Sequence, residues 1–409
     1  MNFAGFIARR IAFNHEKSFS RFIMRLCIGA TAVSVMIIIL AVALGNGFQQ
    51  TVSNKVFSFW GHIHFQSYET ARVQIAEEAP LPNTEQIKEV ALANPAVKSI
   101  QTFATKNAIL KSAGSIEGIL FKGIGTDYHF ENIQPFLREG RWVAFNDSTY
   151  SNEINISVKT AEKLNLKLND EIVVYFIQPD ASPRARKLTI VGLYKTGISD
   201  YDELIALGDI KLIQRMNNWE QNQVGGYELF LYDYTKMAEV SEELFANLPN
   251  QVLSLTIEEI YEGMFDWLNV QTQTIQIVLI IMIAIAALNL ITCLLILVLE
   301  RTRMAGILKA LGATNKLVRK VFLYQGCIIA LIGIGLGNLI AFLLLLSQHL
   351  WGWLKLPEDH YYISKAEIAF SWEYWLLING GTILLCFLTL LIPLTIVRKI
   401  QPLKAIQFN

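Results

Sequence analysis

Few groupings in this 409-residue chain have the residue types and spacing that chemistry requires. His62 and His64 stand two apart in the alternating run Gly61-His62-Ile63-His64-Phe65, so they share one face of a strand and could ligate a metal. No matching Cys, third His or clustered acid accompanies them, and two polar side chains on a solvated face are expected instead. Asp200, Asp202 and Glu203 follow Gly197 and fit a capped turn better than a catalytic carboxylate pair. The chain lacks a G-x-x-x-x-G-K-[ST] phosphate loop, a G-x-S-x-G elbow and an H-E-x-x-H helix. No catalytic, metal or cofactor site is therefore assigned to it.

One further grouping carries information of a mechanical kind. Residues 300–314 read Glu-Arg-Thr-Arg-Met-Ala-Gly-Ile-Leu-Lys-Ala-Leu-Gly-Ala-Thr. Ile307, Leu308, Ala310 and Leu311 give a short apolar stripe at helical spacing, ringed by cations, and Gly312 is a helix stop. A positive-inside connector would account for the charges but not for the stripe. A short amphipathic helix held between two membrane spans can carry a push from a soluble partner into the bilayer.

The elements around this segment follow from apolar runs. The composition is 53% hydrophobic and 17% charged, and the apolar residues gather into four stretches long enough to cross a core of about 30 Å. Membrane helices are assigned to 20–48, 269–299, 321–347 and 373–397. Residues 1–25 carry five Lys/Arg against Glu16, 300–320 carry six against Glu300, and 398–409 carry Arg398, Lys399 and Lys404 with no acid. The stretch 49–268 is net −10 and 355–373 net −2. Short basic segments resist translocation, so both termini and 300–320 are expected in the cytosol, and 49–268 and 348–372 outside. The basic N-terminus with Ala41-Val42-Ala43 imitates a signal peptide, but an uncleaved anchor fits the topology. Residues 1–19 have helical spacing for an interfacial helix, and 398–409 form a tail. All four Cys lie in apolar runs and read as small buried or lipid-facing residues.

The 49–268 domain reads as α+β. Strands are expected at 61–65, 97–109, 116–124, 171–177, 187–193 and 227–232, and helices at 84–93, 158–164 and 236–248. Thr84 is a candidate N-cap. The two prolines of 178–184 mark an exposed hairpin loop. Residues 257–268 have helical spacing, and Gln271, Gln273 and Gln276 then run into the apolar core without a Gly or Pro, which predicts a helix continuing outward as a stalk. Gly333, Gly337 and Ala341 give the third span a small face for close packing.

The 300–314 stretch closely resembles the E-[KR]-x-R-x-x-G-[IL]-L-[KR]-A-L-G-A signature of FtsX/MacB-type ABC transporter permeases. Three further segments carry the resemblance, two of them to the lipoprotein-releasing, LolC/LolE-type permeases within that superfamily. Two of them are Asn46-Gly47-Phe48 with 59–65 and Val191-Gly192-Leu193-Tyr194-Lys195-Thr196-Gly197 through Asp202, while the third, Gln401-Pro402-Leu403-Lys404-Ala405-Ile406, resembles the P-x-x-A-[IL] ending common across the superfamily.

The resemblance implies four spans with a MacB-like periplasmic core domain between the first two, in the cell inner membrane. It implies that Glu300, Arg301, Arg303, Gly306, Ile307, Leu308, Lys309, Leu311 and Gly312 couple to a cytosolic ABC ATPase dimer, which would hold the ATP and Mg. Met36, Leu40, Phe48, Trp267 and Val270 would line a cavity for acyl chains. Pro179, Pro183 and Arg184 lie in the loop where the family extends an arm to a periplasmic carrier, and that loop is short here. A second permease copy or a paralogue, membrane lipids and lipoprotein cargo are the remaining implied partners; nucleic acid is not expected. Efflux and transmembrane regulation of a cell-wall hydrolase are alternatives on the same fold. A sensory receptor is more remote, because no cytosolic segment exceeds about 25 residues.

Overall fold

A computed structural model describes residues 19–68, 79–112, 114–146, 149–178 and 182–398. The proposed interfacial helix, apart from Phe19 itself, and the tail beyond Arg398 lie outside the described residues. The chain divides into a membrane unit, containing residues up to 50, 267–355 and 365 onward, and an inserted unit, 51–266 with 356–364.

Helix α1 (Phe19–Trp60) runs unbroken for 42 residues. At 1.5 Å per residue that is ~63 Å, about twice a bilayer's apolar core. Its last ten residues belong to the inserted unit.

The inserted unit continues with β1 (Ile63–Ser67), β2 (Leu81–Pro82), α2 (Glu85–Ala93), β3 (Val97–Ser112), β4 (Ser115–Ile124) and β5 (Leu137–Gly140). Then come β6 (Glu153–Ser157), α3 (Val158–Leu164), β7 (Glu171–Ile177), β8 (Pro183–Tyr194), α4 (Ser199–Leu204), β9 (Ile205–Asp209) and α5 (Ile210–Met216). It ends with β10 (Gln223–Val224), β11 (Gly226–Leu231), α6 (Met237–Asn247), β12 (Val252–Thr256) and α7 (Ile257–Ile260). The main sheet has the order β12-β1-β11-β3-β4-β9-β6-β8-β5, and β7 pairs with both β3 and β8. The pairings β3–β4–β9–β6–β8–β7 therefore return on themselves and close six strands into a ring. Closure protects strands that would otherwise offer free edges. Phe121 and Phe176 meet edge-to-face with centroids 5.2 Å apart, and a Cβ on Gly208 would fall 2.0 Å from the Phe121 ring. The strands expected at 61–65, 97–109, 116–124, 171–177, 187–193 and 227–232 and the helices expected at 84–93, 158–164 and 236–248 are present. Thr84 stands at the N-cap position of α2, but its side chain makes no capping bond; its N–H donates to Tyr227 Oη instead.

His62 and His64 do not face solvent. Strand β1 lies between β11 and β12, the rings of Phe57 and Tyr234 lie near His62, and those of Trp60 and Phe103 lie near His64. His64 is 2% exposed and its Nε2 donates to Trp60 O at 2.5 Å; His62 Nδ1 accepts from Leu231 N at 2.8 Å. Alternation locates a strand but cannot say whether its polar face is covered. The acidic knot forms the expected turn: buried Asp202 accepts from Thr196 N, Thr196 Oγ1 and Gly197 N, where Gly197 has φ +77°. Next to this turn lies the segment 356–364. Lys195 Nζ contacts Glu358 Oε2 at 2.6 Å, and Lys55 Nζ donates to Tyr362 O at 2.6 Å. A piece of the connection between the last two spans thus folds as part of the inserted unit.

Helix α8 (Glu262–Glu300) has 39 residues. It begins later than the stalk reading implied. Thr256 and Glu259 form a capping box that starts the separate turn α7, and the chain leaves helical geometry at Tyr261. The remaining elements are α9 (Thr302–Ala310), α10 (Asn315–Trp351), α11 (Glu358–Tyr361) and α12 (Trp372–Arg398). Among the described residues, four helices, α1, α8, α10 and α12, are long and apolar enough to cross a membrane. Within the membrane unit, the small face of α10 lies against α1. A Cβ on Gly337 would stand 2.6 Å from Ala32 O, and one on Gly333 2.8 Å from Thr31 Cβ, whereas Gly335 faces open space. Asn338 and Asn379 exchange amide hydrogen bonds at 2.7 and 3.1 Å, and Trp375 Nε1 donates to Asn338 Oδ1 at 2.8 Å, tying α10 to α12. In lipid such polar pairs and small faces replace the missing hydrophobic drive between helices.

Two outcomes follow. Gly337→Leu should lower the thermal midpoint of the detergent-solubilised protein by several degrees, while Gly335→Leu leaves it unchanged; equal effects would contradict the packing. Burial, with Lys98 adding, pushes His62 down to about 4 from its ordinary 6.5. Between those values the unfolded chain binds a proton that the folded chain does not, so stability falls as pH drops through that window. At pH 5 the loss from this group is about 2 kcal/mol. Thermal unfolding at pH 7.5 and 5 should show a shallower pH dependence in His62→Gln than in the wild type.

Candidate functional site

Residues 300–314 form a short helix with two distinct faces. Glu300 ends α8, Arg301 turns the chain, and α9 carries Arg303, Gly306, Ile307, Leu308 and Lys309. Gly312 takes φ +90°, Gly312 N donates to Lys309 O, and Ala313 N donates to Leu308 O. These two bonds make a Schellman ending, in which glycine satisfies carbonyls the helix would leave orphaned. Thr314 then caps α10, its side chain accepting from Leu317 N.

The inward face is Ala305 and Gly306, both buried, with Met304 and Leu308 partly so. Met304, Ala305 and Leu308 pack into a cluster with Ile23, Cys27, Leu294, Val298, Val318 and Phe322 of α1, α8 and α10. The outward face is Arg303, Ile307, Ala310 and Leu311, at i, i+4, i+7 and i+8. Ile307 is 46% exposed and Leu311 80%. The stripe read from the sequence is thus divided, with Leu308 anchoring the helix and Ile307 and Leu311 left on view. Spacing alone misassigned Leu308, because neighbouring helices decide which apolar residues are covered.

The five cavity residues are only partly brought together. Phe48 and Trp267 meet edge-to-face with centroids 5.6 Å apart. Met36 and Leu40 instead pack on the cluster of Val35, Ile39, Leu290, Ile334 and Cys386 deeper among the spans. Val270 is 56% exposed. In the hairpin β7–β8, Pro183 pairs with Ile177, and Arg184 Nη1 donates to Met216 O at 3.0 Å. Pro179 lies outside the described residues.

Sequence reading missed a charged cluster in the inserted unit. Lys122 of β4 and Glu228 of β11 are both 0% exposed and meet at 2.6 Å, beside His64. The available signal was an ion of each sign at inward positions of two apolar strands, Ile119-Leu120-Phe121-Lys122 and Tyr227-Glu228-Leu229.

Comparison with known proteins places these features. Residues 26–244 match the model of the MacB-like periplasmic core domain, and residues 276–402 match that of the FtsX-like permease C-terminal region. The chain is 23% identical to the lipoprotein-releasing system transmembrane protein LolC of Xylella fastidiosa (strain 9a5c), over 98% of this chain and 97% of that one. It is 23% identical to LolC of Neisseria meningitidis serogroup B, covering 96% of each. With LolE of Haemophilus influenzae the identity is 20%, covering 92% of each. One family model spans more than half of the sequence, and the chain belongs to the family with a MacB-like periplasmic core domain, here joined to an FtsX-like permease C-terminal region.

Proposed function

We propose that this chain is the permease subunit of an ABC transporter that releases lipoproteins from the inner membrane toward a periplasmic carrier. The observation that carries the reading is the outward face of α9, where Ile307 and Leu311 stand exposed on a short helix between two spans. Full-length similarity to proteins named for lipoprotein release supports the choice of cargo.

In this reading the short basic segments, including 300–320, lie in the cytosol, and the inserted unit lies in the periplasm. A dimer of cytosolic ATPase subunits takes Ile307 and Leu311 as knobs, and Arg303 provides charge at the rim. ATP and Mg bind that partner, and this chain contributes movement rather than chemistry. A second permease copy or a paralogue completes the transport path, and Phe48 with Trp267 contributes to an apolar surface for acyl chains. Each buried methylene holds a lipid anchor by about 0.8 kcal/mol, so extraction requires driven work. Arg184, already bonded to Met216 O, positions the hairpin more than it contacts a carrier.

Ile307→Asp with Leu311→Asp should reduce ATPase co-purification in mild detergent at least tenfold. Lipoproteins should then accumulate in the inner membrane, although the variant itself is present at wild-type level. Undiminished co-purification and delivery would sink the proposal. An outer-membrane tunnel or a cell-wall hydrolase recovered with the chain instead would favour efflux or regulation.

A further inference from the structure

The last turn of a helix leaves four carbonyls without intrahelical partners. At the end of α1 those carbonyls meet an unusual set of donors. Gly61, with φ +72°, donates its N–H to Phe57 O at 2.7 Å and stops the helix. Lys122 Nζ donates to Phe59 O at 2.5 Å, and His64 Nε2 donates to Trp60 O at 2.5 Å. Lys122 also stands over the Trp60 ring, 4.2 Å from its centroid, and 5.3 Å from that of Phe59. A cation at a helix C-terminus and over an aromatic face is stabilised twice, and both terms strengthen away from water.

Glu228 holds this arrangement in place. Its Oε1 faces Lys122 Nζ at 2.6 Å and His64 Nε2 at 4.0 Å, and its Oε2 accepts from Gln101 Nε2 at 2.8 Å. The strands that carry these groups, β4, β1, β11 and β3, are neighbours around the middle of the sheet. An apolar cluster of equal volume would fill the same space, and replacing a buried ion pair in that way is often neutral or stabilising. What an apolar cluster could not do is bond two helix carbonyls.

We propose that Lys122, Glu228 and His64 are positioning residues, a buried charged clamp that fixes the last turn of α1 to the central strands. Displacement of the helix then moves the sheet with it. The purpose assigned to the clamp rests on the permease reading; its existence rests on the geometry alone.

The test uses the full-length protein in lipid nanodiscs and compares wild type with Lys122→Met/Glu228→Met, which removes both charges together. Hydrogen exchange in peptides covering 51–61 should become at least tenfold faster, while peptides of β3 and β11 keep their protection. Lys122→Arg should retain wild-type protection. His64→Leu, which removes one carbonyl bond and no ion pair, should give a smaller change in the same direction and stands in if the double variant does not fold. In reconstituted vesicles with the ATPase, lipoprotein released per ATP hydrolysed should fall at least tenfold with ATP turnover retained. Wild-type protection at 51–61, or wild-type release per ATP, would overturn the proposal. Absence of release by the wild type would instead count against the permease reading, while exchange would still decide on the clamp.

Discussion

Inside a bilayer there is no water to satisfy peptide groups, so a chain that crosses it must bond its backbone to itself. That constraint makes α1 and α8 helices, and nothing in it says where they must stop. At 42 and 39 residues each exceeds the roughly 20 that a bilayer needs. Everything distinctive about this protein follows from how those long helices are ended and held. Within the membrane unit the grip comes from small faces, with Gly333 and Gly337 letting α10 approach α1, and from the amide exchange of Asn338 with Asn379.

The inserted unit grips by other means, because it is a folded domain with its own core. Phe57 of α1 stacks on Phe265 of α8 at 5.9 Å, and Trp60 lies against Tyr261 at 6.0 Å. The carbonyls of Phe59 and Trp60 at the end of α1 accept from Lys122 Nζ and His64 Nε2. The segment 356–364 joins the same unit through Lys195 and Lys55. At the other end of the chain path, α9 has a glycine ending and an inward face that leave two large apolar side chains outside.

Much of this was legible in the sequence, for physical reasons. Apolar runs and the basic or acidic character of the connections identify spans without reference to packing. Alternation and helical spacing located β1, β3, β7, α3 and α6. What could not be read were facts that depend on which neighbour covers which face. His62 and His64 looked solvated because their strand partners are far away in sequence. Leu308 and Ile307 looked equivalent because the helices that bury one and not the other lie elsewhere. Lys122 drew no attention because a lysine in a strand is ordinarily a surface residue, and its partner Glu228 is more than a hundred positions away. The break after α7 was missed because Tyr261, where helical geometry is lost, sits inside an otherwise helical spacing.

The proposed function holds that a push at α9 is passed along α8, which is helical from Glu262 to Glu300. Asn269→Pro tests it most directly, since proline at this exposed position of α8 removes one backbone bond and kinks the helix without touching a buried side chain. The quantity to measure is lipoprotein released per ATP hydrolysed in reconstituted vesicles. The account predicts at least a tenfold fall with ATP hydrolysis retained; release at the wild-type ratio would contradict it.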